Sequence, residues 1–293
     1  MTDSIKTISV LGSGTMGRGI AQVAATGGFT ARLFDVSEKA LAEADAAIYK
    51  NLKKGVELGK LQQADAESAK TRLFLHSALA EAVADADLVI EAVPERMQLK
   101  IETFQEVQRG CPAHALFASN TSALSITEMA AGTDRPDRFA GMHFFNPVHV
   151  MKLIEIVAAL QTSPETIAAV TAVSKRMGKE TVQVNEAPGF VTSRINVLIG
   201  NEAFRMLQEG VATAEDIDKA LKLGLNHPMG PFELADLVGL DVRLSILEFL
   251  HKSLGESFRP NNLLVQYVRA GRLGRKVGRG VYTYDAQGKK VAE

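Results

Sequence analysis

The sequence is poor in the features that mark secreted and membrane proteins. Its 293 residues include one cysteine, Cys111, so the chain closes no disulfide on itself and a reducing compartment is expected. No apolar run approaches the roughly 20 residues that span a bilayer, and residues 1–6 lack the apolar core of a secretory signal. These absences favour a cytoplasmic protein without a membrane segment.

The sequence also lacks an excess of charge of one sign. Lysine and arginine number 33, aspartate and glutamate 34, and the net charge is −1. A chain without a basic excess is not expected to bind nucleic acid or an anionic membrane. No nucleophile signature surrounds Cys111, and no metal site is predicted. Hydrophobic residues make up 46% of the chain, which indicates a sizeable core, and the length suits one large or two moderate domains.

Short apolar runs alternate with helical patterns in the first part of the chain. The runs lie at residues 7–11, 30–34, 87–93, 115–119, 139–143 and 153–157. Strands that alternate with helices are typical of βαβ units around a parallel sheet. The sequence therefore predicts an α/β domain over residues 1–186.

The pattern changes at Pro188-Gly189. From Val191 the apolar residues follow helical spacing as far as Gly210, a natural helix terminator. Thr213-Ala214-Glu215-Asp216 then resembles a capping box that begins the next helix. Residues 187–293 are therefore predicted to form an all-helical C-terminal domain.

A long charged stretch interrupts the α/β pattern at residues 38–71. Its helical composition, and a length that exceeds a simple crossover, predict a helical pair that protrudes from the sheet. The stretch carries Lys50, Lys53, Lys54 and Lys60. Two interpretations are open here: a solvated surface hairpin, or a basic arm that binds a phosphorylated substrate.

A glycine-rich turn follows the first apolar run. Gly12-Ser13-Gly14-Thr15-Met16-Gly17 has the G-x-G-x-x-G spacing, placed between a strand and a helix as in dinucleotide-binding proteins. The first glycine permits the tight turn, the second lets the backbone approach a pyrophosphate, and the third lets helix and strand pack closely. The α/β domain is therefore predicted to be a Rossmann-type dinucleotide-binding domain in which all of residues 12–17 contact the cofactor.

An acidic residue ends the second apolar run. Asp35 lies 18 residues after Gly17, where a carboxylate hydrogen-bonds the ribose 2′-hydroxyl of a cofactor and repels a 2′-phosphate. NAD is therefore predicted rather than NADP. Later strands should end beside the nicotinamide, because ligands of such sheets bind at the carboxyl ends of the strands.

The last two apolar runs carry a histidine and a glutamate. His143 ends one run, and Glu155 lies among four apolar neighbours in the other. A buried carboxylate is costly unless it is paired, and a histidine suits it because the carboxylate fixes the tautomer and stabilises the imidazolium. Alcohol oxidation needs a general base, so His143 with Glu155 as its partner is the candidate catalytic pair.

Several motifs, in order along essentially the whole chain, resemble one family. They are residues 12–17, Asn120-Thr121-Ser122, His143-Phe144-Phe145-Asn146-Pro147, Pro188-Gly189-Phe190, His227-Pro228-Met229-Gly230-Pro231 and the tail 274–282. The chain resembles the L-3-hydroxyacyl-CoA dehydrogenases, and among them the bacterial 3-hydroxybutyryl-CoA dehydrogenase type. The resemblance implies reversible, NAD-dependent oxidation of a short-chain (3S)-3-hydroxyacyl-CoA to the 3-ketoacyl-CoA, in fatty-acid or related acyl-CoA metabolism.

The resemblance also implies roles for individual residues. His143 is the base, Glu155 its partner, and Ser122 lies between cofactor and substrate. Further cofactor contacts are implied for Glu95, Lys100, Asn146 and, from the second domain, Lys276. Contacts with the CoA moiety are implied for Asn51, Lys53 and Lys54. The helical domain of the family also forms a dimer interface, so a homodimer is implied.

One position departs from the family pattern. After Pro188-Gly189-Phe190 the family often has Val-Asn-Arg, in which the asparagine contacts the substrate 3-oxygen, whereas this chain has Thr192-Ser193-Arg194. Ser193 keeps a hydrogen-bond donor on a shorter side chain. Asn196, one helical turn further on, is the second candidate for this contact. The departure leaves substrate positioning and chain-length preference open.

Three alternatives are open from the sequence. One is a dehydrogenase for 3-hydroxyadipyl-CoA or another dicarboxylic hydroxyacyl-CoA. Another is a dehydrogenase for a hydroxy acid or sugar acid without CoA, which would not need the basic stretch from Lys50 to Lys60. The third is a non-catalytic protein that keeps the NAD fold, and the presence of both His143 and Glu155 argues against it.

Overall fold

An eight-stranded sheet lies at the centre of the first part of the chain. The computed structural model describes residues 5–291. The strands are β1 (Thr7–Leu11), β2 (Thr30–Phe34), β3 (Leu73–His76), β4 (Leu88–Glu91), β5 (Leu116–Ser119), β6 (Phe139–Phe144), β7 (Leu153–Ala158) and β8 (Glu180–Asn185). Their order is β3-β2-β1-β4-β5-β6-β7-β8, in which β6 and β7 pair antiparallel and the other neighbours pair parallel. The carboxyl ends of β1, β2, β4, β5 and β6 therefore meet at one edge, where such sheets bind ligands.

The six predicted strands are all present, with ends that differ from the prediction by at most two residues. The sequence does not predict β3 and β8. Both are edge strands with one neighbour in the sheet, and both leave apolar side chains half exposed: Phe74 is 47% and Val182 43% exposed. β8 alternates polar and apolar residues, and β3 contributes only the three apolar residues Leu73-Phe74-Leu75, so neither shows the longer run of a strand buried on both faces.

Seven α-helices accompany this sheet within the described residues: α1 (Thr15–Thr26), α2 (Glu38–Glu57), α3 (Gln63–Thr71), α4 (Leu79–Val83), α5 (Met97–Gly110), α6 (Ile126–Ala131) and α7 (Pro164–Arg176). Residues inside the central strands, such as Ile8, Val10 and Ile90, are fully buried. Parallel strands buried on both faces form a rigid layer, so the loops at their carboxyl ends start from fixed positions.

The predicted helical pair corresponds to α2 and α3. Ser37 caps α2, since its hydroxyl accepts a hydrogen bond from the Ala40 backbone N–H at 3.2 Å. Leu41, Ile48 and Leu52 are buried at helical spacing and belong to the same apolar core as α1. The inner face of the pair is thus packed onto the domain, whereas its lysines are exposed.

The second part of the chain is helical, as predicted. The chain divides into two compact units, Met1–Ala187 and Pro188–Glu293, and the sequence places the boundary one residue earlier. The helices of the second unit are α8 (Thr192–Gln208), α9 (Ala214–Gly224), α10 (Pro231–Val238), α11 (Leu240–Leu254) and α12 (Asn262–Arg269). Thr213 caps α9 through a hydrogen bond of 3.1 Å from the Asp216 backbone N–H to its hydroxyl. No helix within residues 5–291 has the length and apolarity needed to cross a membrane.

Candidate active site

The glycine-rich loop connects β1 to α1 at the carboxyl edge of the sheet. Gly12 has a φ of +96°, in the left-handed region that favours glycine. A Cβ at Gly17 would lie 1.7 Å from the Gly12 carbonyl oxygen, so loop and helix are too close for a side chain there. A Cβ at Gly14 would meet no atom of the described chain within 4 Å. The start of α1 is therefore open where a dinucleotide pyrophosphate would lie, and the loop fits NAD.

Asp35 follows β2 beside this loop. Its Oδ2 accepts hydrogen bonds from the Ser13 N–H at 2.8 Å and the Ser13 hydroxyl at 2.9 Å, and its Oδ1 accepts one from the Ser37 N–H at 3.0 Å. Burial alone raises the pKa of Asp35, but these hydrogen bonds outweigh burial and hold the pKa below its ordinary value. With this lowered pKa, Asp35 is ionised at neutral pH. A carboxylate has roughly four acceptor positions, and Asp35 uses three of them, so it can still accept a hydrogen bond from a ribose hydroxyl.

His143 and Glu155 lie directly opposite each other in the antiparallel pair β6–β7. His143 Nδ1 is 2.6 Å from Glu155 Oε2, and the two side chains are 6% and 0% exposed. The structure thus brings both residues together as a buried, hydrogen-bonded pair. Because Nδ1 faces the carboxylate, the proton is held at Nδ1, and Nε2 is the basic nitrogen of the neutral ring.

Neighbouring side chains fix the position of this pair. The Asn120 side-chain oxygen accepts a hydrogen bond from the Phe144 backbone N–H at 2.9 Å, next to His143. The Phe145 ring lies 4.6 Å from the His143 ring, centroid to centroid. Asn120 and Phe145 belong to the motifs found in the sequence, and Asn120 to a strand end expected beside the nicotinamide. Their contacts with the His143 strand are not predicted, because the contact of one strand end with the next depends on the sheet order. Asn146, a predicted cofactor contact, is exposed in the loop that follows.

Three predicted cofactor residues gather where β4 and β5 end. Glu95 accepts a hydrogen bond from the Ser122 backbone N–H at 3.1 Å, and its other oxygen lies 3.1 Å from Lys100 Nζ. The Lys100 side chain is 1% exposed and that of Glu95 46% exposed. Glu95 is therefore the member of this ion pair that a bound cofactor can reach. Lys100 also lies 2.6 Å from Glu91, a fully buried carboxylate that the sequence analysis does not single out.

Two predicted site residues of the helical unit, Lys276 and Asn196, have side-chain partners within that unit. Lys276 Nζ lies 2.6 and 2.7 Å from the two Asp241 carboxylate oxygens. The Asn196 side-chain oxygen accepts a hydrogen bond from Arg243 at 3.2 Å. Ser193 is half-buried in the first turn of α8. The cofactor role of Lys276 and the substrate roles of Ser193 and Asn196 stay predictions.

The residues predicted to meet CoA lie on α2. The Asn51 amide donates a hydrogen bond to the Gln22 side-chain oxygen at 3.2 Å, which ties α2 to α1. Lys53 Nζ lies 4.0 Å from Glu57, and both side chains are more than half exposed. Lys54 is exposed beside it. An exposed ion pair of this length holds its lysine only weakly, so Lys53 is available to an anionic ligand.

These features define the class of the protein. A dinucleotide loop, an acidic residue after β2 and a buried histidine–glutamate pair at one sheet edge are those of an NAD-dependent oxidoreductase that acts on an alcohol. Residues 7–187 match the model of the 3-hydroxyacyl-CoA dehydrogenase NAD binding domain, and residues 189–284 match that of the 3-hydroxyacyl-CoA dehydrogenase C-terminal domain. The chain belongs to the 3-hydroxyacyl-CoA dehydrogenase family.

Individual relatives are similar over nearly the whole chain. A probable 3-hydroxybutyryl-CoA dehydrogenase of Bacillus subtilis is 50% identical over 282 residues, which cover 96% of this chain and 98% of that protein. The 3-hydroxyadipyl-CoA dehydrogenase of Escherichia coli is 40% identical over 99% of this chain and 62% of its own length. The crystal structure of (S)-3-hydroxybutyryl-CoA dehydrogenase from Ralstonia eutropha superposes with a TM-score of 0.92 at 44% identity, covering 96% of this chain and 100% of that one.

The predicted family, fold class, cofactor and enzyme class are thereby confirmed. The chain is an NAD-dependent 3-hydroxyacyl-CoA dehydrogenase. The alternatives of a dehydrogenase for acids without CoA and of a non-catalytic NAD-fold protein are set aside.

Proposed function

We propose that the preferred substrate is a short-chain (S)-3-hydroxyacyl-CoA such as (S)-3-hydroxybutyryl-CoA, in fatty-acid or related acyl-CoA metabolism. The observation that carries the proposal is the buried pair of His143 and Glu155, 2.6 Å apart, at the sheet edge that also carries the dinucleotide loop. Relatives named for 3-hydroxybutyryl-CoA, similar along nearly their full length, support the short acyl chain.

The reaction follows from the orientation of His143. Its Nε2 takes the proton of the substrate 3-hydroxyl as the C3–H bond breaks. NAD, when bound, supplies the hydride acceptor. The Glu155 carboxylate, 2.6 Å from Nδ1, stabilises the positive charge that the imidazole gains. In the reverse direction, the imidazolium returns the proton from Nε2 to the 3-oxygen of the ketoacyl-CoA.

A substrate series tests the chain-length part of the proposal. The purified protein is assayed for NADH oxidation with acetoacetyl-CoA, with a longer 3-ketoacyl-CoA and with 3-oxoadipyl-CoA. We expect the highest kcat/KM for acetoacetyl-CoA. A higher kcat/KM for either of the other two would contradict the short-chain preference and leave the family assignment intact.

A dicarboxylic substrate is the second candidate. The 3-hydroxyadipyl-CoA dehydrogenase of Escherichia coli, 40% identical over 99% of this chain, is the observation that favours it.

We propose that Asp35 sets the preference for NAD over NADP. NADH should be preferred by kcat/KM, and Asp35→Ala should narrow that preference by about tenfold or more, because charge repulsion and the ribose hydrogen bond are both lost. Steady-state kinetics with both cofactors measure the effect. Asp45→Ala, the same change at an exposed position of α2, is the control. Equal use of NADPH by the unaltered protein would overturn the assignment.

We propose that the exposed lysines of α2 bind the phosphates of CoA. The charge of Lys54 acts on His149, in the loop after β6: burial and then the charges of Lys179 and Lys54 lower the pKa of His149. An electrostatic effect of α2 on the loop that follows the His143 strand supports the interpretation as a basic arm over that of a solvated hairpin.

The paired change of Lys53 and Lys54 to alanine tests this contact. We expect KM for acetoacetyl-CoA to rise by about tenfold while kcat changes little, because contacts with a remote part of the substrate contribute to uniform binding. The salt dependence of KM should weaken as well. Lys175→Ala with Lys219→Ala removes the same charge from exposed sites elsewhere and should leave KM unchanged. An unchanged KM in the first variant would show that the arm is a solvated surface.

We propose further that the protein is a cytoplasmic homodimer joined through the helical unit. Leu223 and Leu225, at the C-terminal end of α9, are 78% and 66% exposed, and exposed apolar surface of this kind marks interfaces. A native mass twice that of the monomer would agree with the dimer, and a monomeric mass would contradict it. The single cysteine supports a reducing compartment, which cell fractionation tests.

A further inference from the structure

A buried carboxylate that the reaction does not use lies at the carboxyl edge of the sheet. Glu91 is the last residue of β4 and is 0% exposed. Its Oε1 lies 2.6 Å from Lys100 Nζ and accepts a hydrogen bond of 2.6 Å from the Val93 backbone N–H. Its Oε2 accepts a hydrogen bond of 2.6 Å from the Ser119 hydroxyl. Burial raises the pKa of Glu91, and the Lys100 charge and the three hydrogen bonds act against that rise and favour the charged form.

Each partner of Glu91 leads to a loop at the carboxyl edge. Lys100 Nζ also lies 3.1 Å from Glu95, in the loop after β4. The Ser119 hydroxyl accepts a hydrogen bond of 3.2 Å from the Thr121 backbone N–H, in the loop after β5. Glu95 in turn accepts hydrogen bonds from the Thr121 hydroxyl and from the backbone of the next residue. The Glu91 carboxylate is thus connected to both loops, through Lys100 to the loop after β4 and through Ser119 to the loop after β5.

We propose that Glu91 is a positioning residue for NAD: by pairing with Lys100 it keeps the Glu95 carboxylate at the surface, where the cofactor lies. This inference rests on the proposed placement of the cofactor beside Glu95. The Lys100 ammonium pairs with two carboxylates at once: it lies 2.6 Å from Glu91 and 3.1 Å from Glu95.

Removal of the charge on Glu91 leaves Lys100 with one carboxylate partner instead of two. Lys100, whose side chain is 1% exposed, would then be a buried cation with Glu95 as its carboxylate partner. With one carboxylate partner instead of two, the buried ammonium would attract the Glu95 carboxylate more strongly. Glu95 would move toward Lys100 and away from the cofactor, and its hydrogen bonds to the loop after β5 would weaken.

A purely structural role is the competing explanation, and the helical unit offers a matched control. Asp218 is 2% exposed and accepts hydrogen bonds from the backbone N–H groups of Phe232 at 2.8 Å and Glu233 at 3.1 Å, and from the Tyr282 hydroxyl at 2.8 Å. It is a buried acid with three donors, like Glu91, but it belongs to the unit without the dinucleotide loop. Loss of its charge should lower stability alone.

The experiment measures the Kd of NADH by fluorescence titration of the full chain without acyl-CoA, alongside the melting temperature. Glu91→Gln should weaken NADH binding by about tenfold, the effect of one lost hydrogen bond to a charged group. Ser119→Ala keeps the Glu91–Lys100 pair and removes the link to the loop after β5. It should weaken binding by about threefold, and it decides the matter if Glu91→Gln does not fold. Asp218→Asn should melt earlier and bind NADH as the unaltered protein does.

Glu95→Gln distinguishes the placement of the cofactor beside Glu95 from the positioning role of Glu91. If it leaves the NADH Kd unchanged, the placement of the cofactor beside Glu95 is wrong, and the role of Glu91 is wrong with it. If Glu95→Gln weakens binding while Glu91→Gln and Ser119→Ala do not, the positioning role alone is overturned. Equal weakening by Asp218→Asn would also overturn it, because the effect would then be one of general stability.

Discussion

Replacement of His143 by glutamine is expected to lower kcat by about 10²–10⁴-fold, the usual contribution of a general acid–base group. The change removes the nitrogen that takes the hydroxyl proton, and glutamine keeps a polar side chain of similar length. NADH binding should stay within about twofold of normal, because the dinucleotide loop and Asp35 belong to other strands, β1 and β2. Steady-state kinetics with acetoacetyl-CoA and NADH titration together measure both effects.

An exposed histidine in the same domain is the control. The His114 side chain is 62% exposed and pairs with Asp87 at 2.9 Å, beside the start of β5 and thus away from the carboxyl edge. His114→Gln should leave kcat and the NADH Kd unchanged. If His143→Gln retained near-normal kcat, the acid–base role assigned to His143 would be wrong.

The fold could be predicted from the sequence wherever buried strands produce apolar runs. Strands buried on both faces, such as β1 and β4, appear as mostly apolar runs, and the predicted ends differ little from those observed. The edge strand β8 alternates and has one buried residue, Val184, so its sequence resembles that of a loop. Pairing with β7 makes it a strand, and pairing between distant segments is not encoded in local periodicity.

The pair of His143 and Glu155 could be predicted from the sequence because burial also marks Glu155. Glu155 is conspicuous as a charge among apolar residues, and a buried carboxylate requires a partner. The same signal marks Glu91, within Leu88-Val89-Ile90-Glu91, but its partner Lys100 lies on α5 and reaches it only once that helix is packed. Strand register explains the difference: His143 and Glu155 are opposed in one antiparallel pair, whereas the Glu91 network spans two loops and a helix.

Replacement of Glu155 by glutamine should lower kcat by about 10²-fold or more. Glutamine keeps the shape and accepts the hydrogen bond from His143 Nδ1, which lies 2.6 Å from Glu155 Oε2. It removes the negative charge that stabilises the imidazolium, and at a site where the carboxylate is 0% exposed water does not screen that loss. The expected decrease corresponds to about 3 kcal/mol in the activation free energy. It should appear in kcat and leave the NADH Kd unchanged.

The double variant His143→Gln with Glu155→Gln tests whether the two residues act as one unit. Glu155 contributes to the reaction through the charge on His143, so once His143 is gone the second change has little left to remove. We expect the double variant to have nearly the kcat of His143→Gln alone, far from the product of the two separate losses. Melting temperatures of all three variants show whether a decrease in kcat reflects unfolding. If the losses multiplied, the charge of Glu155 would act on the reaction independently of His143, and the hydrogen bond between them would need a structural explanation.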